Sequence, residues 1–240
     1  MSVSKRRVRA IFRKELREYR RNGFIVVTMT IIPLIFLIQP MIVVFALPTS
    51  ASIPLSHRHL LLYMLGIPAI VPAAVAAYAV VGERQQGTLE PVLTTPIRRQ
   101  EFLAGKALAA LVPSVGIAYA VYAFFLACVG LFAHPAVASA LIRGQDLLAQ
   151  LLFTPLLAGW SIWVGIAISA RSSDFRVAQQ LGMLASLPTA VVAALIAFNV
   201  IHATLGLALA LAAALLLGDG LGWRIISATF DRERLITGTR

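Results

Sequence analysis

Six long apolar stretches run through this chain, approximately Phe24 to Leu47, Leu60 to Val81, Ala107 to Ala133, Leu151 to Ala170, Leu181 to Asn199 and Thr204 to Leu221. About 20 apolar residues in a helix cross the hydrocarbon layer of a bilayer, so each stretch is near or above spanning length. Inside lipid the backbone N–H and C=O groups find no water, and a helix satisfies all of them within one segment. The 240-residue chain is 59% hydrophobic with a mean hydropathy of +0.85, far too apolar for a soluble domain of that size. The fold class that follows is an all-α integral membrane protein with six transmembrane helices.

The net charge of +11 and an isoelectric point near 11.0 would suit nucleic acid if the basic residues gathered on one soluble surface. They are placed otherwise. All but Arg58 and Arg143 of the 21 Lys and Arg residues fall in Met1–Gly23, Gly82–Lys106, Arg171–Gln180 and Asp219–Arg240. Those segments flank the apolar stretches alternately, the positive-inside pattern, which puts all four and both termini in the cytoplasm. Attraction to anionic inner-leaflet lipid is a secondary consequence, and no nucleic-acid partner is expected. Of the outer connections, Pro48–His59 is short and polar and Val200–Ala203 is tight. His134–Gln150 carries Ala136, Val137, Ala140 and Leu141 at helical spacing, which suggests an interfacial helix. The first apolar stretch exceeds the ~7–15 residues of a signal core and further spans follow it, so it reads as retained.

Lys5 to Arg21 sets Val8, Ile11, Phe12, Leu16 and Tyr19 on one helical face and Arg or Lys over most of the rest, the pattern of a helix lying along a membrane surface. The chain thus divides into an amphipathic interfacial helix at residues 1–23, a six-span domain at 24–221 containing a loop at 82–106, and a tail at 222–240.

That loop is polar at its start, Gly82-Glu83-Arg84-Gln85-Gln86-Gly87-Thr88-Leu89-Glu90, and continues as Leu93-Thr94-Thr95-Pro96-Ile97-Arg98-Arg99. Leu89, Val92 and Leu93 form a small apolar knob at i, i+3, i+4 spacing, useful only against a partner surface. Gly87-Thr88 can open a short helix with Pro91 in its first turn, where the missing N–H breaks no bond. Thr95-Pro96 reads as N-cap and first residue of the next helix.

This wording, ending with Lys106 at the head of the next apolar run, resembles the first intracellular loop of permeases of the ABC type-2 exporter family. Arg171-Ser172-Ser173-Asp174-Phe175-Arg176-Val177-Ala178-Gln179-Gln180 leading to Leu187-Pro188, and Phe230-Asp231-Arg232-Glu233-Arg234-Leu235, extend the resemblance over most of the chain from Glu83 onward. The resemblance implies a permease subunit in a bacterial or archaeal-type cytoplasmic membrane. It would pair with a second permease, as homo- or heterodimer, and bind two ABC ATPase subunits that hold ATP and Mg. It also implies that the loop is a cytoplasmic coupling helix docking in the ATPase, with Glu83, Gly87, Thr88, Leu89, Glu90, Val92 and Leu93 as the coupling residues.

Other features are weaker. The two glycines of Gly82–Thr88 are not followed by the Lys and Ser/Thr of a phosphate-binding loop, so the chain itself is expected to bind no cofactor and ATP to bind elsewhere. His57, His59, His134 and His202 map to outer ends of spans, come from three loops and are expected to have no carboxylate or thiol beside them, so they read as interfacial rather than as metal ligands. Ser161, Gly165 and Ser169 make a small-residue face for close helix approach. Gln39 and Pro40 in the first span, and Pro68 and Pro72 in the second, are pathway or hinge candidates because Pro frees backbone carbonyls. The single cysteine, Cys128, permits neither an intramolecular disulfide nor a thiolate metal set. No hydrolase constellation is visible.

With Asp219 counted in the cytoplasmic segment, the spans carry no acidic or basic residue. A six-span secondary transporter or channel is the alternative reading, but such proteins usually carry ionisable groups in the membrane and internal repeats, and neither is evident. A charge-free interior points to export of a hydrophobic or amphipathic cargo such as a drug, antibiotic or lipid-like molecule.

Overall fold

The computed structural model describes residues 4–46, 59–85, 87 and 98–229, with only the backbone of Arg84 and Thr229. Among these residues the chain is helical and has no strand: α1 (Lys5–Arg21), α2 (Gly23–Ala46), a 3₁₀ turn (Leu60–Leu65), α3 (Gly66–Ala76), α4 (Tyr78–Gln85), α5 (Arg99–Phe132), α6 (Pro135–Leu141), α7 (Gly144–Arg171), α8 (Phe175–Ala197) and α9 (Leu205–Thr229). Six segments are long and apolar enough to cross a membrane: α2, the run Leu60–Glu83, α5, α7, α8 and Leu205–Ala228. The six-span expectation holds, and α1 has the expected bounds.

The second span lies at the centre, buried on nearly every side, with α2, α5, α7 and α8 packed round it and α9 lying mainly on the outer side of α7; these helices turn apolar residues outward. It is built to be surrounded. Ala69, Ala73, Ala74 and Ala76 give α3 a small surface, and α7 presses on it where a Cβ at Gly165 would lie only 2.6 Å from the Ala73 carbonyl oxygen. Pro72 has no N–H for the carbonyl of Pro68, which weakens the helix from within. Serines of α7 bond α3 and α4 from outside: Ser161 donates to the Ala69 carbonyl at 2.5 Å and Ser169 to the Ala77 carbonyl at 2.6 Å. Ser169 Oγ also accepts from the N–H groups of Val80 and Val81, at 3.0 and 3.1 Å, across the turn where α3 gives way to α4. The small-residue face of α7 is therefore a packing surface that also satisfies its neighbour's backbone.

Helix ends depart from the sequence reading in one direction. α5 begins eight residues before the apolar run, α7 seven before, and α9 continues to Thr229, beyond the boundary at 221. Polar residues join these helices because caps and neighbours satisfy them. Asp174 caps α8 by accepting from Arg176 and Val177 N–H. Within 134–150 a short helix does form, α6, capped by His134, whose Nδ1 accepts from Ala136 N–H; most of the rest of that segment belongs to α7. At the tight connection after α8, Asn199 takes φ 60°, a left-handed position that Asn tolerates.

Candidate coupling site

At the base of the 82–106 loop three elements meet. α4 brings Glu83, α5 brings Lys106 one helix away, and α1 crosses both with Lys14 and Glu15. Lys106 Nζ donates to Glu15 Oε1 at 2.8 Å and to Glu83 Oε1 at 2.9 Å, and Lys14 Nζ donates to the same Glu83 oxygen at 2.6 Å. Glu15, Glu83 and Lys106 are all within 2% of complete burial, so this is an interior ion network rather than a solvated rim. Its members hold each other in place, because a buried charge deprived of its partner costs about 3–5 kcal/mol.

Packing brings the helices that close. A Cβ at Gly105 would sit 2.6 Å from Ile11 Cγ2 and 3.3 Å from the Val8 carbonyl oxygen, so only glycine lets α1 lie this near α5. Ile11, Glu15 and Tyr19 form the buried edge of α1. Lys106 Nζ also stands 5.0 Å from the centre of the Phe102 ring, within cation–π reach. A second clamp holds the start of both helices: Glu101 accepts from the backbone N–H of Ser4 at 2.8 Å and of Arg98 at 3.1 Å, and pairs with Arg7 at 3.3 Å.

Burial pushes the Glu15 carboxyl above the ordinary glutamate range, against the pull of the Lys106 ammonium. Burial also works against the Lys14 ammonium, but its hydrogen bond to Glu83 and the charges of Glu15 and Glu83 outweigh it and raise its pKa. Glu15, Glu18 and Glu83 offer carboxylate oxygens within 4.8 Å of one another. Lys14, 3.2 Å from Glu18, and Lys106 already supply the positive charge a metal ion would bring.

Of the residues singled out in the sequence, Glu83 lies in this network and Gly87 sits beyond it in a turn with φ 66°. Thr88, Leu89, Glu90, Val92 and Leu93 lie outside the described residues, as do Pro91 and the expected cap at Thr95-Pro96. α5 is described from Arg99, with Arg98 as its N-cap and Glu101 closing a capping box. Gln39 is half-buried and its Oε1 has no hydrogen-bond partner among the described residues; Pro40 is buried, and Pro68 and Pro72 stand in the central α3.

Three expectations need correction. Glu15, Lys14 and Lys106 were not among the candidates, although a glutamate between Ile11 and Tyr19 on an otherwise apolar edge is a legible sign of a buried partner. The buried edge of α1 includes Glu15, which the apolar pattern of Val8, Ile11, Phe12, Leu16 and Tyr19 leaves out. One of the outer histidines does have a carboxylate beside it: His59 Nδ1 is 2.7 Å from Asp146 Oδ1, because α7 starts early enough to carry Asp146 to the head of the second span. His57 lies outside the described residues. Finally, the spans are not free of charge. Asp146 is buried in the first turn of α7, and Asp219, counted above with the cytoplasmic charges, stands within spanning helix α9.

A family model described as ABC-2 family transporter protein matches residues 9–217. The chain belongs to the ABC-2 transporter family. That match runs from within α1 to α9 and so includes every element of the ion network. ABC-2 members are ABC permeases, transport subunits of the membrane that work with an ATPase subunit. A comparison with curated proteins gives no match.

Proposed function

We propose that this ABC-2 permease forms half of an export pathway and receives its stroke from a separate ATPase through the 82–106 loop. Both termini would face the cytoplasm, two ATPase subunits would bind per complex, and a second permease would complete the pathway. The observation that carries this reading is the buried network of Lys14, Glu15, Glu83 and Lys106. It ties both roots of the loop, α4 and α5, to α1, so a push on the loop moves three helices as one body instead of bending one of them. α4 leads directly into the central span, which α7 and α8 grip. A loop anchored this way suits transmission of force between two arrangements of a bistable bundle.

Leu89→Asp tests it. The substitution would drive a carboxylate into the contact with the ATPase, at a cost on the order of a few kcal/mol, while Arg143→Gln at the opposite end of the bundle serves as control. Expected are normal membrane abundance, loss of ATPase copurification and loss of cargo-stimulated ATP hydrolysis for Leu89→Asp alone. Normal coupling in that variant, or equal loss in the control, would mean that this loop is not the transmission point and would overturn the proposal, and transport by the purified chain without any ATPase would favour the secondary transporter or channel instead.

A further inference from the structure

The chain has three tryptophans, and all of them line the seam between α7 and α9 around one carboxylate. Asp219 stands in the middle of α9, about 21 Å along the helix from Leu205 and about 15 Å from Thr229 at 1.5 Å per residue. Its carboxylate lies on α7 at Gly159, where a Cβ would come within 2.8 Å of Oδ2 and 2.9 Å of Oδ1. Oδ1 is buried without a hydrogen-bond partner, and no Lys, Arg or His among the described residues forms an ion pair with Asp219. Trp160 packs over Gly218 and Trp163 over Gly222, one residue before and three after Asp219. Trp163 and Trp223 meet edge-on with ring centres 5.7 Å apart.

An ionisable side chain inside a membrane persists for a reason, because lipid penalises it. Indole faces are the best aromatic partners of a cation, and a desolvated site strengthens the attraction. Asp219 and the three indoles are each only half-buried, so a molecule dissolved in the lipid reaches them from the side without crossing the bundle. We propose that the α7–α9 seam is a membrane-entered binding site for lipophilic organic cations, with Asp219 as counter-charge and Trp160, Trp163 and Trp223 as aromatic walls. The cargo class this implies refines the permease reading and rests on it. A molecule that is merely hydrophobic gains nothing from Asp219, whereas a cation supplies the charge the chain lacks there.

Tetraphenylphosphonium and tetraphenylborate are nearly the same size and shape and differ in sign, so they isolate the charge. The test is equilibrium binding of each to the purified full chain in nanodiscs, with empty nanodiscs as blank and tryptophan emission as a second readout from the site. Saturable binding of the phosphonium above blank, accompanied by an emission change, is expected, with none for the borate. Asp219→Asn should weaken the phosphonium by roughly tenfold or more and Asp219→Glu much less. Trp163→Leu should weaken it more than Trp163→Phe. Equal binding of the two ions, or an unchanged affinity in Asp219→Asn, would overturn the proposal and leave Asp219 as a helix-packing group. If Asp219→Asn fails to give a monodisperse protein, the contrast between the two ions in the wild-type chain still decides. The assay contains no ATPase, so failed coupling leaves it unaffected, and a negative result leaves the permease reading standing with a different cargo.

Discussion

Replacing Lys106 by Met removes one ammonium and little volume, and the structure says which group is left stranded. Lys14 becomes the remaining ammonium, 2.6 Å from Glu83 but 3.7 Å from Glu15, so Glu15 loses its hydrogen-bond donor and its nearer ammonium and keeps only the longer ion pair. Leaving it ionised costs about 3–5 kcal/mol. Protonating it at pH 7, about 2.7 pH units above the ordinary glutamate value, costs ~3.7 kcal/mol at most. Burial already favours the protonated form of Glu15, so about 3 kcal/mol is a reasonable figure for the weakening of α1 against α5. A carboxyl whose docked-state pKa is raised stabilises docking at low pH and loses that contribution as pH rises through the raised value. The defect should therefore grow from acid to neutral, by up to ~1.4 kcal/mol per pH unit. Hydrogen exchange in α1 and at residues 99–106 reads this directly once corrected for the intrinsic pH dependence of exchange. At pH 7 the variant should exchange about two orders of magnitude faster there, within the limit set by the docking free energy, while α3 is unchanged. Lys106→Met combined with Glu15→Gln removes one charge of each sign and should recover most of the protection. Wild-type protection in Lys106→Met, a defect independent of pH, or no recovery in the double variant would refute the argument.

Other outcomes follow from the same packing. Gly165→Val should lower thermal stability in detergent by about 1–3 kcal/mol or more, since even a Cβ meets the Ala73 carbonyl oxygen at 2.6 Å; an unchanged unfolding midpoint would contradict that contact. His59→Leu and Asp146→Leu should each destabilise the protein, and the double variant should cost at least ~1 kcal/mol less than their sum, because a lone buried partner is worse than none. Reporter fusions at Ser52 and at the C-terminus should report opposite sides of the membrane, which equal signals would disprove. The purified chain should not bind ATP saturably, as equilibrium dialysis would show, since no complete phosphate-binding loop is present.

The six spans and the amphipathic α1 were legible because they depend on local quantities, the length of an apolar run and the period of a helical face. Lipid enforces both on the backbone one segment at a time. Family membership was legible too, since the Gly82–Lys106 wording carries it. Which charges lie inside the protein was not a local matter. Glu15, Glu83 and Lys106 are separated by tens of residues, and their burial is decided only when Gly105 lets α1 settle against α5. His59 and Asp146 are 87 positions apart and meet because α7 extends below its apolar run. Asp219 was counted with the cytoplasmic charges because it stands near the end of the last apolar run, yet Gly218 and Gly222 let α9 pack on the indoles of α7 and the helix runs on to Thr229. Apolar burial follows from composition, whereas the placement of a charge depends on the partners that folding brings within reach, and those partners are set by tertiary contact.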